Sequence, residues 1–206
     1  MKIHLPPHDM ADDDDLIEKF FDAMWAFYDG QVLALRKELP DIQCPEIEIY
    51  CAFRYEGEVK NGGHNQYINN LDGNQDEFAI ALSGLRLIGA DKQADILRRM
   101  IHWTKAEPDE VHRMLNTYTH VKQPALELLT DEFFNDQEEV TVRHLAANWL
   151  RANGDIEIVT EEQYHASNEN LRNPQPRAPS AKASPKENKG ETGLRARLLA
   201  FFGKPN

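Results

Sequence analysis

Apolar side chains recur along most of residues 16–153 at the spacing that lines one face of an α-helix. Leu16, Ile17, Phe20, Phe21, Met24, Trp25, Phe27 and Tyr28 make a wide stripe, which predicts a core-packing first helix. Gly30 interrupts or bends it, and Val32, Leu33, Leu35 and Leu39 continue an apolar face until Pro40 ends it. Pro45 suits the first turn of a second helix over 46–60, with Ile47, Ile49, Tyr50, Phe53 and Val59 facing inward. Asn61-Gly62-Gly63 closes that helix: Asn tolerates left-handed backbone and glycine has no Cβ, so the chain can stop, reverse and start again. Residues 64–70 read as a short helical turn, and Leu71-Asp72-Gly73 as a second loop.

Start and stop signals organise the rest. Asn74 with Glu77 resembles a capping box for a helix through Ile88, and Gly89 suits its end. Asp91 is expected to cap the next, with Ala94, Ile96, Leu97, Met100, Ile101 and Trp103 inside and Lys92, Arg98, Arg99 and Lys105 outside. Pro108 starts another, with Val111, Met114, Leu115 and Tyr118 as its buried stripe. Pro124 opens a segment with Leu126, Leu128, Leu129, Phe133 and Phe134, and residues 136–139 are expected to cap a helix ending near Asn153-Gly154. Only Ile156-Glu157-Ile158-Val159 alternates as a strand does, and one short isolated strand cannot build a sheet. The expectation is all-α: one multi-helix bundle over 16–160, preceded by an acidic segment over 1–15.

Residues 171–193 read as a disordered linker, rich in proline and lysine and without an aliphatic core former between 173 and 190. Residues 194–204 then place Leu194, Leu198, Leu199, Phe201 and Phe202 on one side, flanked by Arg195, Arg197 and Lys204, the pattern of a short basic amphipathic helix. So short a helix is marginal alone in water. Its candidate surfaces are the acidic body of its own chain, a groove on a partner, or weak contact with an anionic membrane, and tethering gives the first the strongest claim.

Charge changes the picture once the chain is divided. Residues 171–206 hold eight Lys or Arg and two Glu, a charge of +6, so that 1–170 carry 15 basic and 33 acidic residues, −18. A body of that sign repels nucleic acid and attracts cationic protein surfaces. At 206 residues and 41% hydrophobic content the chain can build one real core with appendages. No long apolar run and no basic-then-apolar leader stand out, which predicts a cytoplasmic protein. Cys44 and Cys51 lack a ligand or redox spacing and read as buried free thiols.

The stretch Glu58-Val59-Lys60-Asn61-Gly62-Gly63-x-x-Gln66-Tyr67, followed by Asn69, Asn70 and Leu85-Arg86-Leu87-Ile88-Gly89-Ala90, resembles the DNA mimic protein nineteen family over roughly residues 45–155. His64 stands where that family more often has an apolar or aromatic residue. The resemblance implies a compact helical domain that is strongly acidic, tends to self-associate as a homodimer and has no recognised catalytic centre. In the founding example the acidity is read as mimicry of DNA.

Candidate partner-binding carboxylates are the densest acidic clusters: Asp12, Asp13, Asp14 and Asp15, then Asp131, Glu132, Asp136, Glu138 and Glu139. For the first four, a competing reading is that they cap the first helix and offset its dipole. The family-motif corner comprises Glu58, Asn61, Gly62, Gly63, Gln66, Tyr67 and Asn69. His64, Asn65 and Gln66 place polar groups there with Glu56 and Glu58 as nearby proton acceptors, but the two glutamates do not share a helical face and no nucleophile or base has an identifiable partner. The favoured reading is structural, with Gln66 and Asn69 tying exposed helix-end carbonyls. His102, His112, His120 and His144 lack metal-ligand spacing and, with most histidines, read as surface or half-buried; the acidic run lacks the glycine and terminal glutamate of a calcium loop. No metal or cofactor is expected, and Trp25, Trp103 and Trp149 fall on core stripes.

The expected function is non-enzymatic: an acidic protein that occupies the Lys and Arg of a basic partner, such as a DNA-binding regulator, by DNA mimicry, without binding nucleic acid itself. The alternative is a toxin-neutralising or other interaction module that recognises its partner by shape at the Asn-Gly-Gly corner. A charge-driven complex weakens steeply with salt, whereas an apolar one is nearly indifferent.

Overall fold

A computed structural model of the protein describes residues 2–28, 45–117, 123–135 and 141–172. The expectations for Gly30 to Pro40, Cys44, Tyr118, His120, Asp136, Glu138, Glu139, linker residues 173–193 and residues 194–204 lie outside the described residues, whereas Leu171 and Arg172, expected to begin the linker, end a helix over Glu161–Arg172.

The all-α expectation holds. The order is β1 (Lys2–Leu5), a 3-10 turn (Pro7–Met10), α1 (Asp13–Tyr28), α2 (Pro45–Asn70), α3 (Gln75–Leu87), α4 (Asp91–Ala106), α5 (Pro108–Asn116), α6 (Pro124–Asn135), α7 (Val142–Asn153), β2 (Asp155–Ile158) and α8 (Glu161–Arg172). Pro45, Pro108 and Pro124 each stand at the first position of a helix, where the missing N–H costs nothing. Asn74 caps α3 by accepting from the backbone N–H of Asp76 (3.1 Å) and Glu77 (3.4 Å), and Gly89 at φ 78° follows its end.

α2 is the central helix. It packs most extensively on α3 and also meets α1, α6 and α7. The α2–α3 crossing is tight because Gly84 faces Glu48: a Cβ there would stand 1.9 Å from the Glu48 carbonyl oxygen and 3.0 Å from the Ala52 Cβ. α4 covers α3 and contacts α6, while α1 lies against α7 and α8. Phe20, Met24, Ile49, Tyr55, Tyr67, Ile68, Phe78, Leu97, Phe133 and Leu150 fill one continuous core, with Trp103 and Trp149 partly buried against it. Cys51 is a buried free thiol. Among the described residues, no helix is long and apolar enough to cross a membrane.

Several boundaries differ from expectation. α1 starts at Asp13 rather than at the first apolar residue, Leu16, because apolar periodicity marks only the turns that face the core. α4 begins at Asp91 itself, after Ala90, which offers no side-chain cap; Asp91 is thus a first-turn carboxylate. α7 is capped by Thr141, whose hydroxyl accepts from the His144 N–H at 3.1 Å. Residues 156–158 do not stand alone. They belong to β2, which pairs in parallel with β1, Lys2 opposite Asp155 through Leu5 opposite Ile158. On α6, Leu126, Leu129 and Phe133 are buried, but Leu128 and Phe134 face solvent.

Candidate functional site

The glycine corner is a true reversal within α2. Gly62 (φ −157°, ψ 24°) and Gly63 (φ 72°, ψ −175°) break the helical backbone, and the left-handed step belongs to Gly63; Asn61 stays outside that region of backbone space. The Glu58 carboxylate then accepts hydrogen bonds from Gln66 Nε2 (2.9 Å) and Asn70 Nδ2 (2.6 Å) through one oxygen. In an uninterrupted helix those residues would be displaced along the axis by about 12 and 18 Å, so the second limb folds back on the first. Gln66 and Asn70 thus bind a carboxylate where Gln66 and Asn69 were expected to hold helix-end carbonyls. Asn69 contributes its own carbonyl, to the Asp72 N–H at 3.1 Å. Tyr67 is buried and stacks edge-on to Tyr55 at 5.0 Å.

His64 is fully buried rather than surface or half-buried. Thr130 Oγ1 donates to the Leu126 carbonyl (2.9 Å), so it accepts from the His64 backbone N–H (3.1 Å) and from Nδ1–H (2.9 Å). Nε2 is left to accept from the Tyr55 hydroxyl at 2.9 Å, which assigns the Nδ1–H tautomer. Burial, with the positive charge of Arg99, lowers the His64 pKa to about 3. Burial pushes the hydroxyls of Tyr55 and Tyr67 well above the usual tyrosine range. Beside His64, the buried Asn65 donates to Glu127 (3.1 Å) and accepts from the Gln123 backbone N–H (3.4 Å); Gln123 in turn donates to Glu110 at 2.8 Å. A neutral histidine with both ring nitrogens committed and no exposed surface holds elements together and has no free atom for proton transfer to a substrate. Glu56 is likewise buried and paired with Lys60 at 2.9 Å. The corner is the joint that fixes α6 to α2. Neither Thr130 nor Glu127 carries a sequence signal for that role.

The acidic residues divide into two places. At the α1–α7 junction, Asp12 Oδ1 caps α1, accepting from Asp14 N–H (2.8 Å) and Asp15 N–H (3.1 Å). Asp13 pairs with Arg151 (2.5 Å) and His144 (2.6 Å), and Asp14 with Arg143 (2.8 Å). Partial burial works against the Asp13 carboxylate, but hydrogen bonds from Arg151 and His144 outweigh it and hold its pKa below the ordinary value. Asp12, Asp13, Asp14, Arg143 and His144 line a shallow cleft together with Lys60 and Thr141. Asp15 is exposed. On the α4–α6 face, Asp131 and Glu132 are both exposed. Glu132 is held by Arg99 (2.5 Å), which also pairs with Asp95 (2.9 Å), itself bound by Arg98 at 2.6 Å.

Seven cations of the body, Arg54, Lys60, Arg98, Arg99, Arg113, Arg143 and Arg151, are therefore engaged by carboxylates of the same chain. Asp15, Asp76, Asp91, Asp109 and Asp131 are exposed and form no ion pair among the described residues. No group of three or more His, Cys, Asp or Glu among the described residues is placed to hold a metal ion. The family model of DMP19-like proteins matches residues 40–153, the span that contains α2 through α7. No curated protein and no solved structure matches the chain.

Proposed function

We propose, for a chain that belongs to the DMP19-like family, that it acts by binding: its surplus carboxylates occupy a basic surface of a partner protein in place of nucleic-acid phosphates. DMP19-like proteins are not a known enzyme family. The observation that carries the reading is how the charge is spent. Residues 1–170 have 15 basic and 33 acidic side chains, and seven of the basic ones are engaged by neighbouring carboxylates. Asp15, Asp76, Asp91, Asp109 and Asp131 face solvent without an ion pair among the described residues, a surplus of negative charge over the exposed Arg86 and Lys105.

Such a surface suits a partner that uses Lys and Arg on phosphate, as a DNA-binding regulator does. Docking would displace the partner's counterions and block its DNA site by occlusion. At the corner Gly63, His64, Asn65 and Tyr67 are buried, which leaves Asn61 and Gly62 as the exposed residues for recognition by shape. The test is capture of partners on the immobilised full chain, eluted with rising salt and with duplex DNA. A DNA-binding protein released by both supports mimicry. A partner that resists salt and ignores DNA refutes it.

A further inference from the structure

Large apolar side chains open to solvent are few among the described residues, and two of them lie on α6: Leu128 is 70% exposed and Phe134 48%. Successive three-residue steps turn a helix by about −60° and advance it about 4.5 Å, so Leu128, Asp131 and Phe134 form one ridge with a carboxylate between two apolar groups. The other side of α6, carrying Leu126, Leu129 and Phe133, is committed to the core, and the His64–Thr130 joint fixes the helix in place. The ridge is thus a rigid, partly apolar and acidic surface.

We propose that this ridge is the docking site of residues 194–204 of the same chain, which lie outside the described residues. The two surfaces match in kind: Leu198, Leu199, Phe201 and Phe202 answer Leu128 and Phe134, while Arg195, Arg197 and Lys204 answer Asp131. The tether is long enough. Fully extended, the 21 residues 173–193 reach about 70 Å, more than the roughly 40 Å width of a body of this size, and the tether raises the segment's local concentration there. A second copy placed ridge to ridge would bring Asp131 against Asp131, and an anionic bilayer would meet a body of charge −18, so both rivals begin with like-charge repulsion.

Hydrogen exchange of the full chain tests the docking without any partner. Amides of residues 124–135 should exchange several-fold more slowly in the wild type than in Arg195→Glu/Arg197→Glu, at low salt and independently of protein concentration. Amides of residues 75–87 should be unchanged in the same samples, showing that the body is equally folded. Adding Asp131→Lys to the double variant should return part of the protection. Equal exchange over 124–135 in both proteins overturns the proposal. Protection that grows with concentration assigns the segment to a second copy, and protection that needs anionic vesicles assigns it to a membrane; either result overturns it as well. Failure of this experiment leaves the proposed partner binding standing, and failure of partner capture leaves the docking standing.

Discussion

Acidifying the protein from about pH 7.5 to about pH 5 should cost it about 2 kcal/mol through His64 alone. In the unfolded chain this histidine titrates near 6.5, whereas in the fold its pKa is about 3. The folded state therefore holds the proton less well than the unfolded state. The stability His64 contributes is fully present above pH 6.5 and is lost as pH falls toward 3. At about pH 5 the unfolded chain gains 1.5 pH units of proton binding that the fold refuses, and at about 1.36 kcal/mol per unit this gives the 2 kcal/mol. The figure depends on the unfolded value and hardly on how far below pH 5 the folded one lies. The physical cause is specific: Nε2 accepts from Tyr55, so a proton there would set two donors face to face in a site with no solvent exposure. Urea unfolding of the wild type and His64→Gln at both pH values measures it. The wild type should lose about 2 kcal/mol more than the variant on acidification, whatever the variant has already lost at the higher pH. Equal losses in the two proteins would refute both the assigned tautomer and the burial argument.

Three further substitutions probe the backbone. Gly63→Ala should lower stability by about 2 kcal/mol, since φ is +72° and the new Cβ would lie 3.0 Å from Thr130 Oγ1; thermal denaturation reads this directly. Gly84→Ala should cost more, about 3 kcal/mol, because the clash at 1.9 Å is with the Glu48 backbone and two core helices must separate; a loss below about 1 kcal/mol in chemical denaturation would show that the crossing yields easily. Asn74→Ala should cost about 1 kcal/mol through the lost cap, while Asn74→Asp stays near neutral, so two equal losses would point away from capping.

What the sequence made legible was local. Prolines at 45, 108 and 124, the Asn74 cap and the glycines at 63 and 89 act through their own φ or their own hydrogen bonds, and each stands where its chemistry predicted. What stayed hidden was set by distant partners. β1 has one repeat of alternation and becomes a strand only because residues 155–158 lie beside it, more than 150 positions away. His64 looks like an exposed polar residue until Thr130, 66 positions on, closes over it. α6 is apolar on most sides, and only its packing against α2 and α4 decides that Leu129 and Phe133 go in while Leu128 and Phe134 stay out.

The same distinction governs the acidic residues, and it moves the expected contact surface. Density of charge along the chain singles out Asp12 to Asp15, yet Asp12 is spent on a helix cap, and Asp13 and Asp14 on Arg151, His144 and Arg143. Those carboxylates join α1 to α7, and a positive partner approaching them meets charge already neutralised at contact distance. Asp131 and Asp109 differ in kind: each is exposed on one side of a packed helix and forms no ion pair among the described residues. Removing a paired charge leaves an arginine without its partner and disturbs the fold, whereas removing an unpaired one changes only the outward field. Charge available to a partner is therefore better located by what the chain's own cations leave over than by where acidic letters crowd together. By that criterion Asp15, the α6 face and the helix starts at Asp76, Asp91 and Asp109 are the places where a basic partner would meet the full field.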